Sequence, residues 1–253
     1  QHQKSDFSSF HTNLNYISPK KNYSTLFSLS LNKVKLNENG GLLNTDEFEN
    51  NENTDKQFMT TKLLTAENRL KNNQFLLHQT LKLFKLHNTP LYAGYLGGYS
   101  NMKKVFEDAT PDSMYYSKFN INEKNLYDSL FTQLISNIIY FSNYTNYAET
   151  DNKIKVQLGL KHEYIKSQFC DIKHNSNDLE VFASLVYEID SLWEISSDLA
   201  YKFYEDSEID ISINVTKLFD NDYVKSLSFI TEFFNQDPHF YYYNYKSNYH
   251  IWH

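Results

Sequence analysis

The chain holds one cysteine, Cys170, and one arginine, Arg69, among 253 residues. A single thiol excludes an internal disulfide and any zinc site built on cysteines. With no cationic or helix-end setting visible around it, it reads as an incidental, half-buried side chain. Basic residues are outnumbered, 24 against 31 acidic, for a net charge of −7 and a pI near 5.7. No Lys/Arg run forms a stripe, which argues against a nucleic-acid partner because phosphate neutralisation dominates that affinity. No stretch approaches the roughly 20 apolar residues of a membrane helix; even "LISNIIYFS" is interrupted by Ser136 and Asn137. The start, "QHQKSDFSSF", has no basic segment followed by an apolar one, so a signal peptide is expected outside this sequence.

Aromatic rings, by contrast, are plentiful: 17% of residues, with 21 Tyr and 19 Phe, on a chain whose mean hydropathy is −0.62. Packed soluble domains usually pair so many rings with more aliphatics, whereas a wall that is apolar outside and polar inside does not need them. The bias toward Asn, Lys, Tyr, Phe and Ile also fits an A+T-rich genome, which accounts for part of the signal.

Hydropathy alternates with a period of two over long stretches. In "KIKVQLGLKHEYI", Ile154, Val156, Leu158, Leu160 and Tyr164 share one parity, broken only by His162, while Lys155, Gln157, Lys161 and Glu163 share the other. Such a strand has one apolar neighbour and one wet one. The next strips follow suit: Leu179, Val181, Leu185 and Tyr187 against Glu180, Ser184 and Glu188; Trp193, Ile195, Leu199 and Tyr201 against Glu194, Asp198 and Lys202; Ile211, Ile213 and Val215 against Asp210, Asn214 and Thr216. The connections "DS" and "EDSE" are hairpin-short, which predicts an antiparallel, up-and-down meander from about residue 153 to 219.

The first half is less regular. "DFSSFHTNLNYI" and "YSTLFSLSLNKV" flank the turn "SPKKN" and predict a hairpin, and "QFLLHQTLKLFKL" alternates through Phe75, Leu77, Leu81 and Leu83. "TTKLLTAENRLKNN" suits one or two helical turns, "YDSLFTQLISNIIYF" is ambiguous between helix and strand, and long loops are expected at about 37–72 and 87–125, the latter punctuated by Pro90, "LGGY" and "ATPDS".

Strips of about 10 to 13 residues exceed the mean strand of roughly 5 to 6 and match the roughly 9 to 11 that cross a bilayer at a tilt. Rings gather toward strand ends at Tyr164, Tyr187, Trp193, Tyr201, Phe203, Phe219, Tyr223 and Phe233, as they do where strands leave hydrocarbon. A soluble β-sandwich, for instance a carbohydrate-binding module with a Tyr-rich face, would also alternate, but with shorter strands and Greek-key crossings.

Four segments, "NENGG" at 37–41, "LLTAENRLKNNQFLLHQ" at 63–79, "YDSL" at 127–130 and the closing "YYYNYKSNYHIWH", occur in this order among alternating strands. In this the chain resembles the Putative porin family of Bacteroidota, outer-membrane β-barrels. The resemblance implies an all-β, antiparallel transmembrane barrel in a Gram-negative outer membrane, of which residues 1–253 form one domain or an interior section with strands expected on both sides. It also implies passive diffusion of small polar solutes or ions through a polar lumen, with outer-membrane lipid as partner and a homo-oligomer or an outer-membrane complex as the assembly. A non-conducting barrel of a surface assembly is the alternative.

On that expectation Lys155, Lys161, Glu163, Glu180, Glu194, Asp198, Lys202, Asp210, Asn214 and Thr216 line the lumen, and Ile154, Val156, Leu158, Leu160, Trp193, Ile195, Leu199, Ile211, Ile213 and Val215 face lipid. No catalytic residue, metal site or cofactor is expected. His250 and His253 at i and i+3 on a strand point to opposite faces; Glu188, Asp190 and Glu194 suit a solvated turn; "LGGY" lacks the lysine and helix of a phosphate loop.

Overall fold

The computed structural model describes residues 4–38, 62–111, 126–147, 152–170, 172–203, 207–219 and 224–235. They form ten strands: β1 (Ser5–Ile17), β2 (Tyr23–Asn37), β3 (Ala66–Leu86), β4 (Thr89–Asp108), β5 (Leu126–Ser142), β6 (Ile154–Phe169), β7 (Ile172–Glu188), β8 (Trp193–Lys202), β9 (Glu208–Leu218) and β10 (Ser226–Asn235). All ten belong to one antiparallel sheet in sequence order, and no helix occurs among the described residues. The expected up-and-down all-β architecture is therefore present. A two-sheet sandwich is not.

Turn chemistry sets the hairpins. His87 and Asn88 both have positive φ, the two-residue turn whose twist matches the flanking strands. Between β1 and β2, Ser18 Oγ accepts the N–H groups of Asn22 and Tyr23 while Lys21 takes a positive φ. Between β7 and β8, Asp190 accepts from the N–H groups of Leu192 and Trp193 at 2.7 and 2.9 Å, which gives it a turn role.

Three sequence expectations need correction. Residues 89–108 are not loop but the 20-residue strand β4. Its alternation is masked because small and aromatic residues occupy both faces, and "LGGY" reads as a breaker only until its neighbours β3 and β5 are in place. The helical reading of "TTKLLTAENRLKNN" also fails, because β3 begins at Ala66 and its backbone bonds to strands on both sides; of the loop expected at about 37–72, residues 66–72 are strand and 39–61 lie outside the described residues. Finally, Leu83 sits at a bulge between Lys82 and Phe84, so Phe84 takes the face that strict alternation assigned to Leu83. The ambiguous stretch at 127–141 is strand β5.

One ladder row shows how the sheet is sheared. Tyr23 pairs with Leu81, and the pairing continues through Ala93, Phe141, Leu158, Ala183, Leu199 and Ile211 to Phe233. The row meets β2 at its first residue and β10 near its last, so strand ends drift steadily along the sheet, as in the wall of a tilted-strand barrel. The sheet is not closed: among the described residues β1 and β10 each pair on one side only.

The described residues hold no conventional core. Among the described residues the buried apolar side chains are Leu63, Ala66, Tyr92, Val105, Leu126 and Phe169, and only Leu63, Ala66 and Leu126, with Phe106 beside them, form a cluster. Among the described residues no layer covers the sheet, so both faces of its strands need an environment.

Candidate functional site

Because paired residues in an antiparallel ladder share a face, the register sorts every side chain from β1 to β10 onto one of two surfaces. The ladder row just traced is apolar throughout. It lies on the more open surface, where Ile154 is 50% and Leu158 54% exposed. Their strand neighbours Lys161 and Glu163, on the opposite surface, have side chains only 28% and 23% exposed. That second surface is concave. A cavity of about 680 Å³ is lined from β4 across to β10, chiefly by its residues, among them Leu96, Tyr140, Lys161, Asp198, Ser212 and Glu232.

All ten residues expected at a lumen fall on this concave face, brought together by pairs such as Lys161 with Glu180, Glu180 with Lys202, Asp198 with Ser212, and Glu194 with Thr216. The ten expected toward lipid fall on the convex face: Leu160 leads through Val181 and Tyr201 to Ile209, and Tyr187 through Ile195 to Val215. At the convex margin Lys217 extends its ammonium over the ring of Trp193, 4.9 Å from its centre. Tyr223, His250 and His253 lie outside the described residues.

Charge is distributed unequally between the faces. On β6 to β10 the concave face carries Glu163, Asp178, Glu180, Glu188, Glu194, Asp198, Glu208, Asp210 and Glu232 against Lys155, Lys161 and Lys202. Two of the three lysines are shared between acids. Lys161 lies 3.0 Å from Glu163 and 3.5 Å from Glu180, Lys202 lies 3.4 Å from Asp178 and 3.3 Å from Glu208, and Lys155 pairs with Glu188. Half-exposed pairs of this kind contribute up to about 1 kcal/mol each, so their main consequence is the field they leave. Glu194, Asp198 and Glu232 carry no ion pair among the described residues, so the wall is net negative. On β1 and β2 the same face is instead neutral, with Ser9, His11, Asn13, Ser24, Ser28, Ser30 and Asn32.

Aromatic rings lie down along this wall because glycines make room for them. Gly94 pairs with Tyr140, Tyr140 with Gly159, and Gly159 with Phe182. A Cβ on Gly94 would stand 2.0 Å from the Tyr140 ring, and one on Gly159 would stand 2.4 Å from the Phe182 ring. With the ring laid over Gly94, the Tyr140 hydroxyl reaches His78 Nε2 at 2.6 Å. Sequence reasoning missed this row, since Gly94 stood in an expected loop and Tyr140 in an ambiguous segment.

After β5 the chain folds inward. Tyr144, Thr145, Asn146 and Tyr147 line a second cavity of about 540 Å³ that shares Leu96, Tyr140 and Gln157 with the first. Asn143 fixes this segment by donating to the Ile154 carbonyl and accepting from the Val156 N–H, both at 2.8 Å, and Tyr147 meets Tyr92 edge to face. Burial raises the pKa of both the Tyr144 and Tyr147 phenols, so they stay protonated. Among the described residues no three His, Cys, Asp or Glu side chains converge as a metal site would require.

A family model described as Putative porin matches residues 1–253, and the chain belongs to that family. Neither a curated protein nor a solved structure matches it.

Proposed function

We propose that this member of the Putative porin family builds part of the wall of an outer-membrane pore, through which small polar solutes or ions, cations in preference, pass by diffusion. The observation that carries this reading is the sorting of side chains: an apolar row that continues across nine strands on the convex face, and an acidic, hydroxyl-rich surface on the concave one. On β7 the convex apolar stripe runs from Leu179 to Tyr187. Eight residue steps of about 3.3 Å at a tilt near 40° give roughly 20 Å of height, close to the apolar band of such barrels once the flanking rings are added.

Lipid around an open sheet would leave backbone N–H and C=O groups unpaired along β1 and β10, each costing several kcal/mol. Further strands or a second copy must therefore cover both edges. The longest connections, 38–65 and 109–125, leave from the same end of the sheet, which in this reading faces the outside. Membrane fractionation of the full-length protein tests the reading. It should resist extraction without detergent and run at two mobilities in SDS before and after boiling; release into the soluble fraction with one mobility would overturn it.

A further inference from the structure

On the convex face of β2, β3, β4, β6 and β7, the first charged residue met beyond the apolar stripe is always a lysine: Lys33, Lys71, Lys103, Lys166 and Lys173. Three of them are direct cross-strand neighbours, Lys33 pairing with Lys71 and Lys71 with Lys103. Like charges directly opposite on one face destabilise a sheet. One row further out the charges are balanced: Lys35 and Arg69 bind Glu67 at 2.5 and 3.2 Å, and Arg69 binds Glu107 at 2.5 Å. No such partner meets the five lysines among the described residues, and all five are exposed. Between them and the apolar stripe the convex face offers only neutral groups such as Asn73, Asn101 and Asn175.

A repulsive row kept at the margin of an apolar band calls for an anion delivered from that band. We propose that this belt binds the phosphate-bearing headgroups of membrane lipid, an inference that rests on the convex face being in a bilayer. Strands about 4.8 Å apart place Lys33 and Lys103 about 10 Å from one another, so three ammonium groups can close around one or two phosphates while the acyl chains lie down the apolar stripes of β2 to β4. An ammonium is a flexible, point-like donor, suited to a headgroup that is itself mobile. The belt also lies toward the end with the long connections, so the lipid bound is that of the outward leaflet.

The test uses full-length protein in detergent, selected for two mobilities in SDS, so that loss of the membrane reading would be seen before the assay begins. Native mass spectrometry counts the dioleoylphosphatidic acid or dioleoylphosphatidylcholine molecules retained. Wild type should hold the phosphatidic acid at about tenfold lower lipid concentration than the phosphatidylcholine, since each lysine near an anionic surface adds to binding. The triple variant Lys33→Gln, Lys71→Gln, Lys103→Gln should lose that preference and keep its two mobilities, because it removes repulsion from the sheet. The control Lys82→Gln, Lys85→Gln, Lys104→Gln deletes the same charge from the concave face and should keep the preference. No preference in wild type, or equal loss in both triples, would overturn the belt as a headgroup site. Displacement of the lipid by inorganic phosphate at equal concentration would make it a site for free anions and overturn the proposal as well.

Discussion

Leu158 and Gln157 are chain neighbours on opposite faces, and exchanging either for lysine separates the two environments. Leu158 lies near the middle of the convex stripe Ile154 to Tyr164, between Phe141 and Ala183. The stripe's near end at Ile154 is four residues away, about 13 Å along the strand, further than a lysine's four-carbon stem reaches, so the ammonium cannot escape to water. Lysine near the midplane of a lipid face costs about 2–4 kcal/mol, a shift of roughly 30-fold to several hundred-fold in the folding equilibrium. Gln157 faces the concave side, lines both cavities and accepts from the Tyr144 hydroxyl at 3.4 Å. A lysine there meets water and carboxylates and should cost less than about 1 kcal/mol. Folding of the full-length protein into phosphatidylcholine vesicles, read by the unboiled SDS mobility across a urea series, measures both. Leu158→Lys should move the midpoint strongly and Gln157→Lys hardly at all. The reverse order would invert the faces, and equal tolerance would mean that neither face meets hydrocarbon.

Other perturbations follow from the wall itself. Gly94→Ala should force the Tyr140 ring off the wall, because the three atoms nearest the new Cβ all belong to that ring; the barrel should fold and its single-channel conductance should fall, and unchanged conductance would show that the ring does not bound the passage. Gly159→Ala should cost more in folding, about 1–3 kcal/mol, since its Cβ would also stand 2.7 Å from the Ile139 carbonyl; a urea midpoint equal to that of wild type would contradict this. Lys161→Gln frees Glu163 and Glu180 from their shared cation and should raise cation preference with less than about 1 kcal/mol lost in stability; a shift toward anions, read as a reversal potential in a salt gradient, would refute the assigned wall charge.

Legibility in sequence followed how cleanly each strand separates its two faces. On β6 to β9 one parity is apolar and the other charged, so Ile154 and Lys155, or Ile211 and Asp210, could be assigned without coordinates. β4 and β5 hid themselves because their concave parity also carries Leu96, Leu134 and Ile138, and because glycines that accommodate rings look like turn residues in isolation. Contacts between strands were beyond the sequence altogether. Lys33, Lys71 and Lys103 are scattered in the chain, and only the register of β2, β3 and β4 makes them one row; the Lys202 bridge between Asp178 and Glu208 likewise depends on how β7, β8 and β9 align.

The proposed function requires the concave face to bound a cation-preferring passage through a bilayer. Reconstituting the full-length protein in a planar bilayer under a potassium chloride gradient and reading the zero-current potential tests it most directly. Conductance should be stepwise, with a reversal potential of the sign set by potassium, because the carboxylates of β6 to β10 exceed their lysine partners. Stepwise conductance with a potential of the sign set by chloride, or insertion into the bilayer without conductance, would contradict it.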